Sequence, residues 1–169
     1  MSKKFAVFDI DGTLFRWQLY HELFDAFIEN NIITSRNAEN VLSAREEWKT
    51  RAESYTRYEF KLIDEVERAI VGISESTLHS IADEILKAKG GQIYQYTSRL
   101  LKTLNRQDYT TIALSASHHE LVERFCVLHG IDIAYGRKYT IEAGKVTEKS
   151  ILVHDRKSEI LQQLVRDNK

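Results

Sequence analysis

A chain of 169 residues, 43% hydrophobic and 29% charged, carries enough apolar material for one substantial core and is neither disordered nor fibrous in composition. Its formal net charge of -1 gives no broad attraction to nucleic acid or to an anionic membrane, and its longest apolar runs are a few residues, against the roughly 20 that cross a bilayer. A cytoplasmic setting without nucleic-acid or membrane partners is expected, and the single cysteine, Cys126, excludes an internal disulfide and a cysteine-based metal site.

Lys4 to Ile10 is a nearly continuous apolar run, the pattern of a strand covered on both faces in a parallel sheet. Helical spacing follows from Leu19 to Glu29, then from about Ala38 to Tyr55 and from about Arg57 to Val71. A fourth helix is expected to begin near Ser74, where Ser74-Glu75-Ser76-Thr77 offers capping groups, and to stop at Gly90-Gly91; Gln92 to Asn105 forms a fifth. Tyr109 to Ser115 reads as the second buried strand. Ser117-His118-His119-Glu120 fits a capping box with Ser117 as the cap, opening a helix that runs through Cys126, a core thiol on its apolar side, to Gly130. A short strand over Ile131 to Ala134, a β ribbon over Arg137 to Val146 turning at Glu142-Ala143-Gly144, and a terminal helix over about Arg156 to Asp167 complete the chain. There is no proline, so glycine, asparagine, aspartate and serine are expected to make the turns.

Two buried strands that end in small polar residues predict an α/β fold with its site at the carboxyl edge of a sheet. About 80 residues of helix between them exceed a simple crossover and read as an inserted helical cap. In Phe8-Asp9-Ile10-Asp11-Gly12-Thr13-Leu14, the aspartates are two apart and point to one side if strand geometry persists. Two adjacent negative charges need compensation, and hard oxygen ligands suit Mg²⁺. One carboxylate can attack phosphorus while the other, its pKa raised by its surroundings, protonates the leaving oxygen and later activates water. Gly12 permits a tight departure from the strand and lets N–H groups approach a phosphate, to which Thr13 adds a hydroxyl.

These residues resemble the haloacid dehalogenase-like hydrolase superfamily, in particular its phosphoserine phosphatase-like branch, and the resemblance spans essentially the whole chain. It implies a Rossmann-like parallel sheet core built from residues 1–15 and 95–169, with an all-helical cap over 16–94. It further implies Asp9 as the nucleophile that forms an aspartyl-phosphate, and Asp11 as general acid/base whose main-chain carbonyl joins Asp9 in binding Mg²⁺. The second motif falls on Ser115, donating to a phosphate oxygen with the N–H of Ala116 and the following helix N-terminus, and the third falls on Lys157 in Lys-x-Glu-Ile-Leu. A cation there offsets the repulsion between carboxylate and phosphate, worth on the order of 4 kcal/mol at about 4 Å and an effective dielectric near 20. Lys145, Lys149 and His154 lie close in sequence, but the pattern selects Lys157. His118 and His119 lack zinc-ligand spacing.

Two departures from the branch stand out. Gln18 falls where phosphoserine phosphatases carry a glutamate, and Ser115-Ala116-Ser117 replaces Ser-Gly-Gly, which argues for a small phosphomonoester other than phosphoserine. Arg16, Trp17 and Arg57, with the aromatics Tyr55, Tyr58 and Phe60, are candidates to line its pocket or to pack the cap. The superfamily's fourth motif, an aspartate pair after a further strand, is missing after Lys157, so the core is expected to be incomplete at the C-terminus and to leave Phe5 to Phe8 as a sheet edge. The alternatives left open are a noncatalytic binding or oligomerisation protein or truncated inactive fragment on the same fold, oligomeric if the native chain ends at Lys169, and a phosphotransferase.

Overall fold

The computed structural model describes residues 3–151, 153 and 156–167. Strand β1 (Lys4–Phe8) pairs in parallel with β2 (Tyr109–His118), from Lys4 opposite Tyr109 to Phe8 opposite Ala113. β2 pairs in parallel with β3 (Ile133–Glu142), which turns back as an antiparallel hairpin into β4 (Lys145–Ile151). The sheet order is β1-β2-β3-β4, so among the described residues β1 bonds to one neighbour, the edge expected at Phe5 to Phe8. Phe8 is buried there and Val7 is 43% exposed.

Between β1 and β2 the chain forms α1 (Leu19–Glu29), α2 (Ser35–Lys49), α3 (Tyr55–Ile70), α4 (Glu75–Lys89) and α5 (Gln95–Arg106). Leu19, Leu23, Phe24 and Phe27 place a buried stripe along α1. The hydroxyls of Thr34, Ser54 and Ser74 accept the N–H three residues on, at 3.3, 3.3 and 3.1 Å, and so open α2, α3 and α4. The two segments that join this insert to the sheet lie side by side: Arg16 N–H donates to Gln92 O at 2.8 Å and Tyr94 N–H to Leu14 O at 2.9 Å. Helices α1 and α4 share one apolar core with the sheet and with α6 (His119–His129). Cys126 lies in that core, where burial pushes its thiol up to about 12, as expected of a packing residue.

The terminal helix α7 (Lys157–Asp167) is seated by a second, smaller cluster in which Ile160 meets Leu114 and Val153, flanked by Tyr135, Leu161 and Leu164. Burying a side chain such as Ile160 contributes roughly 1.5–3 kcal/mol, and here it fixes the first turn of α7 beside the end of β1.

Four expectations about boundaries change. Helix α2 starts at Ser35 and ends at Lys49 rather than spanning Ala38 to Tyr55, because Arg51 takes a left-handed conformation (φ 60°) and Ser54 caps a new helix. Ala52 and Tyr55 continue the apolar phase of Trp48, which hid that break. The short strand and the ribbon are one continuous β3, and the hairpin runs on to Ile151. Its turn uses Ala143 (φ 51°) and Gly144 (φ 73°), two successive left-handed residues that match the twist of a tight hairpin. Arg51 and Ala143 thus join the glycines, Asn31 and Asp108 among the turn residues. Finally, Ser117 does not cap α6: β2 runs through it to His118, α6 begins at His119, and the Glu120 carboxylate pairs with His118.

Candidate active site

The segment after β1 winds around one carbonyl. Ile10, fully buried, offers its main-chain oxygen to the N–H groups of Thr13, Leu14 and Phe15 at 2.9–3.1 Å. Gly12, at φ 72°, makes the sharp departure possible. Its N–H donates back to Trp17 O at 2.9 Å and Phe15 O at 3.1 Å, and the Thr13 carbonyl accepts from Thr97 Oγ1 at 2.7 Å. The N–H groups of Gly12 and Thr13 are therefore consumed by the turn, where the sequence suggested that they approach a phosphate.

The two aspartates meet different surroundings. Asp9 Oδ1 accepts from Lys157 Nζ at 2.9 Å, and both side chains are partly open to solvent, at 42% and 35%. The Asp11 carboxylate is enclosed: Oδ1 accepts the Leu19 N–H at 2.6 Å, and Oδ2 accepts the hydroxyls of Ser115 at 2.6 Å and Ser117 at 2.9 Å. Ser115 Oγ in turn accepts the Ser117 N–H at 2.9 Å, and both serines are buried. A serine hydroxyl has one hydrogen, so Ser115 reaches a phosphate as a donor only by turning away from Asp11. Ala116 is exposed and belongs to β2, three residues ahead of α6, so the helix N-terminus does not start beside it as expected.

Burial is the largest influence on Asp11 and raises its pKa from the ordinary 3.8; hydrogen bonds from Ser115, Leu19 and Ser117 draw it part of the way back, and the charge of Asp9 adds to the rise. The folded chain thus keeps this proton to a higher pH than the unfolded chain. Between the unfolded and folded values the native state binds more protons, so this group's contribution to stability falls as pH rises through that window. Asp11→Asn, which cannot ionise, is expected to raise the melting temperature at pH 7 in metal-free buffer, with the gain vanishing below about pH 4. A melting curve that does not move at pH 7 would mean that the three hydrogen bonds fully offset burial.

The remaining candidates fall around the start of α1. Arg16 is exposed and meets Gln92 through its main chain. Trp17 stacks on Trp48 at 6.1 Å and meets His21 edge-on, within a set of rings completed by Tyr55 and Tyr58. His21 is buried there and pushed down to about 4, by burial first and by Arg45 second, so it stays neutral. Gln18 opens α1, its main-chain oxygen accepting the N–H groups of His21 and Glu22 at 3.1 and 3.3 Å, while the Tyr55 phenol meets His21 Nε2 at 3.4 Å and Glu59 at 3.3 Å. Arg57 is exposed and paired with Glu53, one turn earlier on the surface. Tyr58 is fully buried and Phe60 is 63% exposed, so these aromatics divide between packing and surface. Lys145 lies at the hairpin, bridged to Ser74; His154 and the Lys149 side chain lie outside the described residues.

The sequence reading missed Ser117 and the Leu19 N–H as partners of Asp11. A signal for Ser117 existed: it stands two residues after Ser115, and in a strand that spacing returns to the same side. Among the described residues no group of three or more His, Cys, Asp or Glu side chains is placed to hold a metal.

Comparison with known proteins agrees with the resemblance. The family model "haloacid dehalogenase-like hydrolase" matches residues 6–167. No curated protein matches the chain. Among solved structures, a phosphoserine phosphatase holding an analogue of its phospho-aspartyl intermediate is 18% identical, with a TM-score of 0.58 over 99% of this chain and 73% of that one. Phosphoserine phosphatase in its apo form is 19% identical, with a TM-score of 0.59 over 99% and 72%. The phosphoserine phosphatase of T. onnurineus is 25% identical, with a TM-score of 0.53 over 96% and 70%.

Proposed function

The chain belongs to the haloacid dehalogenase-like hydrolase family, and on that premise we propose that it hydrolyses a small phosphomonoester through an aspartyl-phosphate on Asp9, with Mg²⁺ as cofactor. The observation that carries this reading is the division of labour between the carboxylates. Asp9 is accessible and beside a cation, as a nucleophile toward an anionic phosphate must be; Asp11 is enclosed, and its burial raises its pKa above the ordinary carboxylate value, the direction a general acid needs.

In the first half of the reaction an Asp9 oxygen attacks phosphorus. The new O–P bond forms as the bond to the leaving oxygen breaks, and Asp11 gives that oxygen its proton. In the second half Asp11, now a carboxylate, takes a proton from water as the water oxygen attacks the aspartyl-phosphate; inorganic phosphate leaves and both aspartates return to their starting states. Lys157 stays charged throughout and offsets repulsion between Asp9 and the phosphate. Ser115 turns from Asp11 to a phosphate oxygen, while Ser117 and the Leu19 N–H keep Asp11 in place.

The oxygens present fit Mg²⁺, a hard cation commonly held by one or two carboxylates with water and substrate phosphate filling the octahedron. Asp9 and the Asp11 main-chain carbonyl would hold it, and it would supply charge neutralisation at the phosphate. Residues 16–94 serve as the cap over this edge, a division supported by the adjacent connecting segments at Leu14–Arg16 and Gln92–Tyr94. Gln18, a neutral amide, favours a substrate without an ammonium group at that point.

The test is hydrolysis of p-nitrophenyl phosphate by the purified chain with and without Mg²⁺. Turnover that EDTA abolishes and added Mg²⁺ restores is the expected result; EDTA-insensitive turnover, or none with Mg²⁺ present, would overturn it. A panel of phosphomonoesters then ranks substrates by kcat/KM.

A further inference from the structure

Away from the aspartates, polar groups from two elements converge on a carboxylate carried by a third. Glu67 of α3 accepts hydrogen bonds at Oε1 from the phenols of Tyr20 in α1 and Tyr139 in β3, and Arg137 of β3 brings its guanidinium to 3.0 Å from Oε2. Tyr20 is 7% exposed, and the Arg137 and Glu67 side chains are 15% and 24% exposed. The charges cancel within the cluster, and both phenols are held above their ordinary pKa, by burial first in each case, so they remain donors. None of these contacts is local: the two tyrosines lie 47 and 72 residues from Glu67 in sequence. A carboxylate that satisfies donors from a strand and a second helix fixes the rotation of its own helix relative to both.

On the sheet side the cluster abuts the groups around Asp11. The Tyr139 ring lies nearly parallel to His118, with centroids 4.8 Å apart, and His118 directly follows Ser117. One residue before Arg137, Gly136 leaves no slack: a Cβ there would come within 2.8 Å of Ser117 O and 2.7 Å of His119 Cα. The exit of α3 is pinned separately by its main chain, where Gly72 N–H donates to Val146 O and Val146 N–H to Ile73 O, each at 2.9 Å. Those bonds locate the end of the helix; the Glu67 cluster, one turn earlier, sets its orientation.

We propose that Glu67 is a positioning residue, which registers helices α1 and α3 on the carboxyl edge of the sheet and, through Tyr139 and His118, braces the strand end that carries Ser117. Its kinetic consequence rests on the hydrolase reading above. Its structural consequence does not.

Both are tested in the full chain with Glu67→Gln, which keeps the shape but turns an amide toward Arg137, and with the milder Tyr139→Phe, which removes one donor. Hydrogen–deuterium exchange of the free protein is expected to quicken about tenfold in 19–29 and 55–70 while β1 and α5 keep their protection. With p-nitrophenyl phosphate and Mg²⁺, kcat/KM is expected to fall about tenfold or more, through a rise in KM as the cap contacts loosen and a fall in kcat as the strand end that carries Ser117, a partner of Asp11, loses its brace. Exchange that is unchanged in both variants, or accelerated equally throughout the chain, overturns the proposal; so does an unchanged kcat/KM in a variant that turns over. If the unsubstituted chain shows no hydrolysis, the hydrolase reading fails and exchange alone decides the role of Glu67.

Discussion

Asp9→Asn is expected to lower p-nitrophenyl phosphate hydrolysis by about 10⁴-fold or more, a barrier increase above about 5 kcal/mol, because it replaces an anionic oxygen nucleophile with an amide. The substitution is nearly isosteric, and the Asp9 side chain is 42% exposed with Lys157 as its charged partner. Its loss therefore costs at most about 1 kcal/mol of stability, the range of exposed ion pairs. A folded, inactive protein is the predicted outcome, read by steady-state release of p-nitrophenol together with circular dichroism. Mg²⁺-dependent turnover within tenfold of the unsubstituted chain would place the nucleophile elsewhere.

Lys157→Met should separate catalysis from stability in the same way. Methionine keeps the apolar stem and removes the charge, while α7 remains seated by Ile160 against Leu114 and Val153. The charge matters most when a phosphate is brought to Asp9, because two anions then meet in a site partly shielded from water. A fall in kcat/KM of about 10²- to 10³-fold is expected, equivalent to roughly 3–4 kcal/mol, with the urea midpoint almost unmoved. A similar fall in stability, or a loss in kcat/KM of less than about threefold, would show that the 2.9 Å contact is an ordinary surface pair.

What could be read from the residues was what is local. Phe8 to Leu14 declares a buried strand, two carboxylates in alternation and a glycine at the turn, and each of those is a property of seven consecutive positions. Lys157 was reached through family resemblance alone: it stands 148 residues from Asp9, and no pattern within the chain says that α7 folds back to it. Ser117 shows the opposite failure. Ser-x-x-Glu is an adequate helix start, and the competing claim came from pairing with β3 at His118 and Arg137, a tertiary contact that outweighed the local preference. The break between α2 and α3 was hidden because Ala52 and Tyr55 stay in phase with Trp48. Glu67 was invisible for a simpler reason. On an amphipathic helix a glutamate reads as a solvated group until other elements bring phenols and a guanidinium to it.

Because Arg16 and Gln92 are hydrogen-bonded neighbours, the polypeptide leaves the sheet layer and returns to it at nearly one point. In evolutionary terms such a pair of points is a cassette junction: recombination at 16 and 92 exchanges everything between them without altering the spacing of Asp9, Ser115 and Lys157. The replacement is constrained at three places. It must offer an N–H where Leu19 meets Asp11, it must bring apolar side chains to cover the face of α6 that α4 now covers, and it must supply a partner for Tyr139 and Arg137 where Glu67 of α3 now stands. Sequence diversification on this scaffold is therefore expected to concentrate in α2, where none of the three applies.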